Sequence, residues 1–253
     1  MKKTIIFLFV FVLGFYSCQK NNVAPNDDPE NGNGGTLLKK IKQGNNTLIN
    51  FAYDANQHVI IKTVTDNNDQ YETSYSYADG KISTETLKYK ENTVAQYTYS
   101  YNNDGFLSRC TIIGASNVYW EFTYQNSKIT EAIQYLDGGY SYKMTFYYNG
   151  DNITEAIKEA KFGGIWERES RFTFEYDNKK NPYVPMKFHF SEVVDENITF
   201  WCPNNTTRIK EYDNTGILLD DTQYTYTYNS ENYPETVKIN SSTGYSTTLD
   251  FIY

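Results

Sequence analysis

Three tryptophans are the residues of this chain best suited to bind a ligand. Trp120, Trp166 and Trp201 interrupt a regular pattern of tyrosine and phenylalanine, and 17% of the 253 residues are aromatic. The face of an aromatic ring packs against the C–H groups of a sugar, while polar neighbours hydrogen-bond to its hydroxyl groups. We therefore interpret the tryptophans as candidate ligand-binding residues. The tyrosine rows have a simpler explanation, because cross-strand aromatic pairs also stabilise a sheet.

Residues for catalysis or metal binding are harder to select. His58 and His189 are the only histidines, and no carboxylate or cysteine accompanies either at a metal-ligand spacing. The oxygen-rich segment Asn102–Gly105 is typical of a hairpin turn. Glu131 and Glu155 recur with the repeat, as solvent-facing residues do, so no pair of carboxylates stands out for glycoside hydrolysis. We assign no catalytic residue, metal or cofactor.

A repeat of about 24 residues organises the chain that carries these side chains. Ile129–Ile133 recurs, identical, as Ile153–Ile157, and the spacing marks one supersecondary unit copied along the chain. Further copies have an aromatic-x-Tyr strand end followed by Asn, Asp or Gly. Their second tyrosines are Tyr53, Tyr77, Tyr101, Tyr124, Tyr148, Tyr176 and Tyr228. Tyr212–Gly216 is an out-of-phase turn, and Phe251–Tyr253 closes the chain as a further strand.

Side chains within a unit alternate with a period of two residues. Tyr97, Tyr99 and Tyr101 share one face of the predicted strand, and Thr98 and Ser100 share the other. Each unit is therefore a strand–turn–strand. Near residues 155–161 the pattern also allows a short helical turn. The sequence predicts an all-β, antiparallel meander of roughly 18 strands, which must form a barrel-like or strongly twisted large sheet.

The N-terminal segment predicts export. A basic start at Lys2 and Lys3 and an apolar stretch precede Ser17 and Cys18. This resembles a bacterial lipoprotein signal, which implies cleavage after residue 17 and a lipid on Cys18; an ordinary secretory signal is the alternative. Residues 18–35 are typical of a flexible tether, and residues 36–253 of one all-β domain.

The formal charge limits the partners that we expect. Without residues 1–17, 21 basic residues stand against 31 acidic ones, a formal charge of −10. Such a surface disfavours nucleic acid and anionic lipid head groups.

Cys110 and Cys202 have two open interpretations. They would meet an oxidising environment after export and form a disulfide. Alternatively, they are small, buried, inert thiols, because nothing in the sequence places them near each other.

The tyrosine units, the Asn181-Pro182-Tyr183 break and the ending from Tyr224 to Pro234 resemble a family of Bacteroidetes lipoproteins. That family is a domain of unknown function described as porin-like. The units are also similar to the tyrosine-aspartate repeats of bacterial surface and toxin proteins, which build β-shells and in some cases bind carbohydrate. These resemblances imply a barrel-like shell and supply no catalytic residues.

An integral outer-membrane barrel is the main alternative to a soluble domain. A lipid-facing row must be apolar across about 25 Å. Here the face opposite the tyrosines carries Thr, Ser and Glu, so we expect a soluble domain tethered to the outer membrane by a lipid. It would face the periplasm or the cell surface and bind a glycan or a protein partner without catalysis. A glycan-processing enzyme and a structural envelope scaffold are the alternatives.

Overall fold

The computed structural model describes residues 37–66, 69–114, 118–136, 139, 141–186 and 202–253. The predictions for the signal, Cys18, the tether, His189 and Trp201 lie outside these residues.

The described residues form one closed antiparallel barrel of sixteen strands. Each strand pairs with its neighbours in sequence, and β1 pairs with β16 through Lys40 opposite Ile252. The strands are β1 Lys40–Gln43, β2 Asn46–Tyr53, β3 Val59–Asp66, β4 Asp69–Ala78, β5 Lys81–Tyr89, β6 Asn92–Tyr101, β7 Leu107–Ile112, β8 Tyr119–Gln125, β9 Lys128–Tyr135, β10 Ser141–Asn149, β11 Asn152–Phe162, β12 Ile165–Lys180, β13 Asn204–Asp213, β14 Leu218–Tyr228, β15 Pro234–Ser241 and β16 Ser246–Ile252.

These strands confirm the predicted all-β meander and decide between its two forms in favour of a closed barrel. The number of strands is sixteen, not the predicted 18 or so. The helical turn considered near residues 155–161 is wrong, because that segment lies within β11. One short 3-10 turn, Val184–Met186, follows β12.

The aromatic rows point into the barrel and form its core. A circular barrel of sixteen strands leaves a water-filled channel. Here the inward side chains are buried and form one core cluster, so they fill the interior instead of lining such a channel. The buried inward residues include Ile49, Phe51, Tyr75, Tyr97, Tyr99, Trp120, Phe122, Met144, Phe146, Phe172, Phe174, Val237 and Phe251.

Tyrosine hydroxyl groups link most of the described hairpins to the preceding one, which explains most of the repeated tyrosines. Tyr148 Oη donates to the backbone carbonyl oxygen of Ile129 at 2.8 Å, and Tyr176 Oη donates to that of Ile153 at 2.7 Å. A buried carbonyl needs such a donor, because an unsatisfied one is costly. Equivalent bonds join Tyr53 to Leu38, Tyr77 to Val59, Tyr101 to Ile82, Tyr226 to Thr206 and Tyr253 to Pro234.

A β-bulge beside the second tyrosine of a unit explains the identical Ile-Thr-Glu-Ala-Ile segments. The register shifts between Thr123 and Tyr124, and again between Tyr147 and Tyr148. The hydroxyl groups of Thr130 and Thr154 donate to the carbonyl oxygens of Thr123 and Tyr147, at 3.3 and 3.4 Å. The bulge places the flanking Ile and Ala side chains on the inner face, where Ile129, Ala132, Ile153 and Ala156 are buried.

Carboxylate and amide side chains build several of the turns. Asp54 Oδ1 accepts hydrogen bonds from the backbone N–H groups of Asn56 and His58, and Asn102 Oδ1 accepts the equivalent pair from Asp104 and Phe106. The interpretation of Asn102–Gly105 as a turn is therefore confirmed. The fourth turn position has a positive φ, whether it is glycine, as at Gly105, or Gln57 with φ of 67°.

The unit containing Asp177 departs from this pattern at the predicted Asn-Pro-Tyr break. β12 continues to Lys180, and the following residues 181–186 fold against the barrel interior, with Asn181, Tyr183 and Met186 buried. The Tyr183 ring meets Phe251 edge-on, 6.4 Å between centroids. We call residues 181–186 the plug. Its buried rings help to fill the end of the barrel where β12 ends.

Candidate functional site: an outer aromatic and basic surface

Trp120 and Trp166 lie on opposite faces of the barrel wall. Trp120 points inward from β8 and is 5% exposed, with its ring centroid 6.3 Å from that of Tyr97. This burial corrects the prediction for Trp120, because a ligand outside the barrel cannot reach the ring. Trp166 lies on the outer face of β12 and is half-buried. Trp201 and Cys18 lie outside the described residues.

Cys110 and Cys202 are both buried, and the two form no disulfide in the structure. Cys110 lies on β7 opposite Tyr99, whereas Cys202 just precedes β13. Cys202 Sγ accepts a hydrogen bond from the Ile153 backbone N–H at 3.2 Å and lies 3.3 Å from Tyr176 Oη. Burial, reinforced by the negative charge of Glu85, raises the pKa of Cys110 far above its ordinary value. Of the two interpretations, the structure agrees with the second, in which both cysteines are buried thiols without a disulfide.

Two charged residues inside the barrel were not found by sequence reasoning. Lys62 on β3 is 0% exposed and Glu85 on β5 is 3% exposed. Tyr99 Oη donates a hydrogen bond to Glu85 Oε2, as a buried carboxylate requires. The signal that would have found Lys62 is its strand position, two residues before the buried Val64. Because the barrel encloses both residues, they do not form an accessible site.

The accessible site lies on the outer face of β7–β12, where two rows of side chains cross six strands. The row nearer the β7–β8 turn consists of Thr111, Tyr119, Tyr135, Ser141, Lys161 and Trp166, each opposite the next in register. The adjacent row consists of Arg109, Glu121, Ile133, Lys143, Glu159 and Arg168. Together, these twelve residues are called the outer aromatic surface.

A pair of stacked tyrosines forms one part of the outer aromatic surface. The rings of Tyr119 and Tyr135 lie 4.6 Å apart at an angle of 23°. The Arg109 guanidinium carbon lies 3.7 Å from the centroid of the Tyr119 ring. Partial burial and the negative charge of Glu121 raise the pKa of Tyr135 above its ordinary value. This part therefore presents two phenol groups and a guanidinium group close together.

Trp166 and two lysines form the other part. The ammonium groups of Lys143 and Lys161 lie 4.9 and 5.4 Å from the Trp166 ring centroid, within the range of a cation–π interaction. Lys143 Nζ also lies 2.7 Å from Glu159 Oε2. The side chains of Lys143 and Glu159 are 18% and 23% exposed, which fixes this ion pair against the wall.

The spacing of the two parts suits an extended ligand. Tyr135 on β9 and Trp166 on β12 are three strands apart, which corresponds to roughly 14 Å. The small side chain of Ser141 and that of Lys161 lie between them in the row.

The outer aromatic surface combines ring faces, ammonium and guanidinium donors and two carboxylates. Within the described ranges, no group of three or more His, Cys, Asp and Glu side chains could hold a metal ion.

The recurring glutamates lie on the outer face, as the sequence predicts. Glu155 accepts a hydrogen bond from Arg171 at 3.2 Å, and Glu121 and Glu175 lie 3.8 Å from Arg109 and Arg208. Exposed pairs of this kind contribute little to stability.

Sequence reasoning selected Trp166 as a candidate but did not select its outer-face neighbours Tyr119, Tyr135, Lys143 and Lys161. Strand alternation carries a usable signal for the tyrosines, because each lies next to an inward residue on its strand. Their proximity to Trp166 depends on the register across four strand pairs, which a single sequence does not display.

Comparison with solved structures identifies the fold. A porin-like protein from Bacteroides uniformis aligns with 85% of this chain and 94% of its own, with a TM-score of 0.52 and 15% sequence identity. A porin-like protein from Bacteroides vulgatus aligns with 86% of this chain and 99% of its own, with a TM-score of 0.42 and 12% identity. The complex TcdB2-TccC3-Cdc42 aligns with 79% of this chain and 13% of its own, with a TM-score of 0.34 and 11% identity.

No family model and no curated protein matches the sequence. The porin-like fold implied by the sequence resemblance is confirmed, and the chain is an antiparallel β-barrel of that fold. In the part of the chain that the structure describes, no helix has the length and apolar character needed to span a membrane.

Proposed function

We propose that the protein is a lipid-anchored, non-enzymatic component of the bacterial cell envelope that binds a glycan through the outer aromatic surface. The observation that carries this proposal is the placement of the Tyr119–Tyr135 stack and Trp166 on one accessible wall. Sugar rings pack their C–H groups against such aromatic faces. The neighbouring charged side chains provide hydrogen-bond donors and acceptors for hydroxyl groups.

The charged outer wall favours a barrel that lies outside the lipid bilayer. Ion pairs occur along that wall, including Lys143 with Glu159, Arg171 with Glu155 and Arg208 with Asp221. A basic residue facing lipid at the bilayer midplane costs about 2–4 kcal/mol. A lipid on Cys18 would instead hold the barrel at the outer membrane, on its periplasmic or its outer side.

Affinity electrophoresis tests glycan binding. The chain without residues 1–18 should be retarded in gels that contain a bound polysaccharide. Trp166→Ala and Tyr135→Ala should abolish the retardation, because each removes a ring. Tyr147→Ala is the matched control, since Tyr147 is 48% exposed elsewhere on the outer wall. Unchanged migration of the unmodified chain across a broad polysaccharide panel would overturn the glycan assignment and leave a protein partner as the alternative.

The anchor and the absence of catalysis have separate tests. A fatty-acid label should be incorporated into the full-length chain and lost from Cys18→Ser; incorporation into that variant would contradict the anchor. The bound polysaccharide should release no reducing ends over time. If reducing ends are released, and if substitution of one carboxylate abolishes that release, the protein would instead be an enzyme.

A further inference from the structure

We infer that the glycan is an acidic polysaccharide. This inference rests on the proposed function and narrows it to one chemical class of glycan. The two rows of the outer aromatic surface carry four basic side chains and two acidic ones. The whole chain has the opposite balance, with 23 basic and 31 acidic residues. The surface is therefore a local basic region on an acidic protein.

Part of this positive charge is available to a ligand. Lys143 is paired with Glu159 at 2.7 Å, and Arg109 lies 3.8 Å from Glu121. Among the described residues, no carboxylate lies within 4.0 Å of the charged groups of Lys161 or Arg168. Arg168 is exposed, and Lys161 lies beside the Trp166 ring.

The arrangement of these two cations suits an anionic group on a sugar. A ring that packs on Trp166 would place a substituent within reach of the Lys161 ammonium group. The Arg168 guanidinium can bind a carboxylate or sulfate group with two parallel hydrogen bonds. Negative charge over the rest of the protein repels the same polymer, which favours this one wall as the point of contact.

The experiment uses two matched pairs of polysaccharides. Polygalacturonate and its methyl ester differ in the charged carboxylates, whereas dextran sulfate and dextran differ in the sulfate groups. At 50 mM salt we expect at least tenfold tighter binding of one charged polymer than of its neutral counterpart. The pair that discriminates identifies the anionic group. The preference should decrease at 500 mM salt, because salt screens exposed charges.

Three variants localise the effect. Lys161→Gln and Arg168→Gln should each weaken binding of the charged polymer at least fivefold and leave the neutral polymer unchanged. Glu159→Gln should strengthen binding of the charged polymer, because it removes a repelling charge and releases Lys143. Lys238→Gln is the control, since Lys238 is exposed on β15 away from the surface.

Three other results of the binding experiments would contradict the inference. Equal binding of charged and neutral polymers would overturn the acidic class and leave the glycan proposal intact. An equal loss of affinity in Lys238→Gln would reduce the effect to general charge attraction and would also overturn the inference. Absence of binding to all four polymers and to the wider polysaccharide panel would overturn the inference and the proposed function together.

Discussion

The inner and outer faces of the wall formed by β7–β12 carry similar residues with different consequences. Tyr119 and Trp120 are neighbours in sequence, yet Trp120 is buried in the core and Tyr119 stacks on the outside. Aromatic rings on the inner face exclude water and stabilise the barrel, whereas those on the outer face are available for contacts. The side of the strand that a residue occupies, rather than the residue type, therefore decides which aromatics are candidates for function.

Truncation of the two tryptophans should separate the faces most clearly. Trp120→Ala should lower the free energy of unfolding by about 3–5 kcal/mol, because it leaves a cavity in a packed interior. Trp166→Ala should cost less than about 1 kcal/mol, since its half-buried ring contributes less to packing. Denaturant unfolding monitored by circular dichroism measures both values. Equal losses would remove the distinction between the faces.

A smaller effect tests the hydrogen bonds that join the hairpins. Tyr148→Phe removes the donor to the Ile129 carbonyl and should cost about 1 kcal/mol. Tyr147→Phe at the adjacent outward position is the control and should be neutral. Thermal unfolding of the two variants gives the comparison. An effect at Tyr147 as large as at Tyr148 would show that the linking bond is not the cause.

The turn at Gln57 offers a change in the stabilising direction. Its φ of 67° costs an ordinary residue about 1–2 kcal/mol, and glycine loses about 0.5–1 kcal/mol of chain entropy instead. Gln57→Gly should therefore raise the unfolding free energy by about 0.5 kcal/mol. Gln57→Ala keeps the strained backbone and should give no gain. A gain in the alanine variant would point to the side chain rather than to φ.

The smallest predicted effect depends on pH and concerns the outer wall. Arg208 donates two hydrogen bonds to Asp221, at 2.7 and 2.5 Å, and these bonds, with the guanidinium charge, hold the pKa of Asp221 below its ordinary value. The stabilisation is present above the unfolded pKa of about 3.9 and is lost as pH falls through the lower folded value.

The variant Asp221→Asn should therefore differ from the unmodified chain most at neutral pH. The difference in unfolding free energy should shrink below about pH 4, where the carboxylate becomes protonated. Urea unfolding at a series of pH values measures this trend. A difference that stays constant down to pH 2 would exclude the ion pair as its source.

Much of the barrel follows from local patterns. The tyrosine alternation, the Asn, Asp and Gly turns and the 24-residue spacing are sufficient to predict antiparallel hairpins in sequence order. The number of strands is less accessible, because one strand, β12, runs sixteen residues and is followed by the plug instead of a tight turn. Closure depends on β1 meeting β16, a pairing between residues about 200 positions apart.

The outer aromatic surface is harder to predict for a physical reason. Each bulge breaks the period of two, so that Ile129 and Ala132 are both inward although three positions separate them. Alternation counted through a bulge assigns the following residues to the wrong face. Trp166 stands out by residue type, but its proximity to Lys143 and Lys161 follows only from the paired register.

Hydroxyl-radical footprinting with and without polygalacturonate or dextran sulfate locates the residues that the polymer covers. We expect the bound polymer to reduce oxidation of Tyr119, Tyr135 and Trp166. Oxidation of Tyr147 and Tyr245, which are 48% and 56% exposed elsewhere, should not change. Protection of Tyr147 or Tyr245 without protection of Trp166, or no protection of any ring, would contradict binding at the outer aromatic surface.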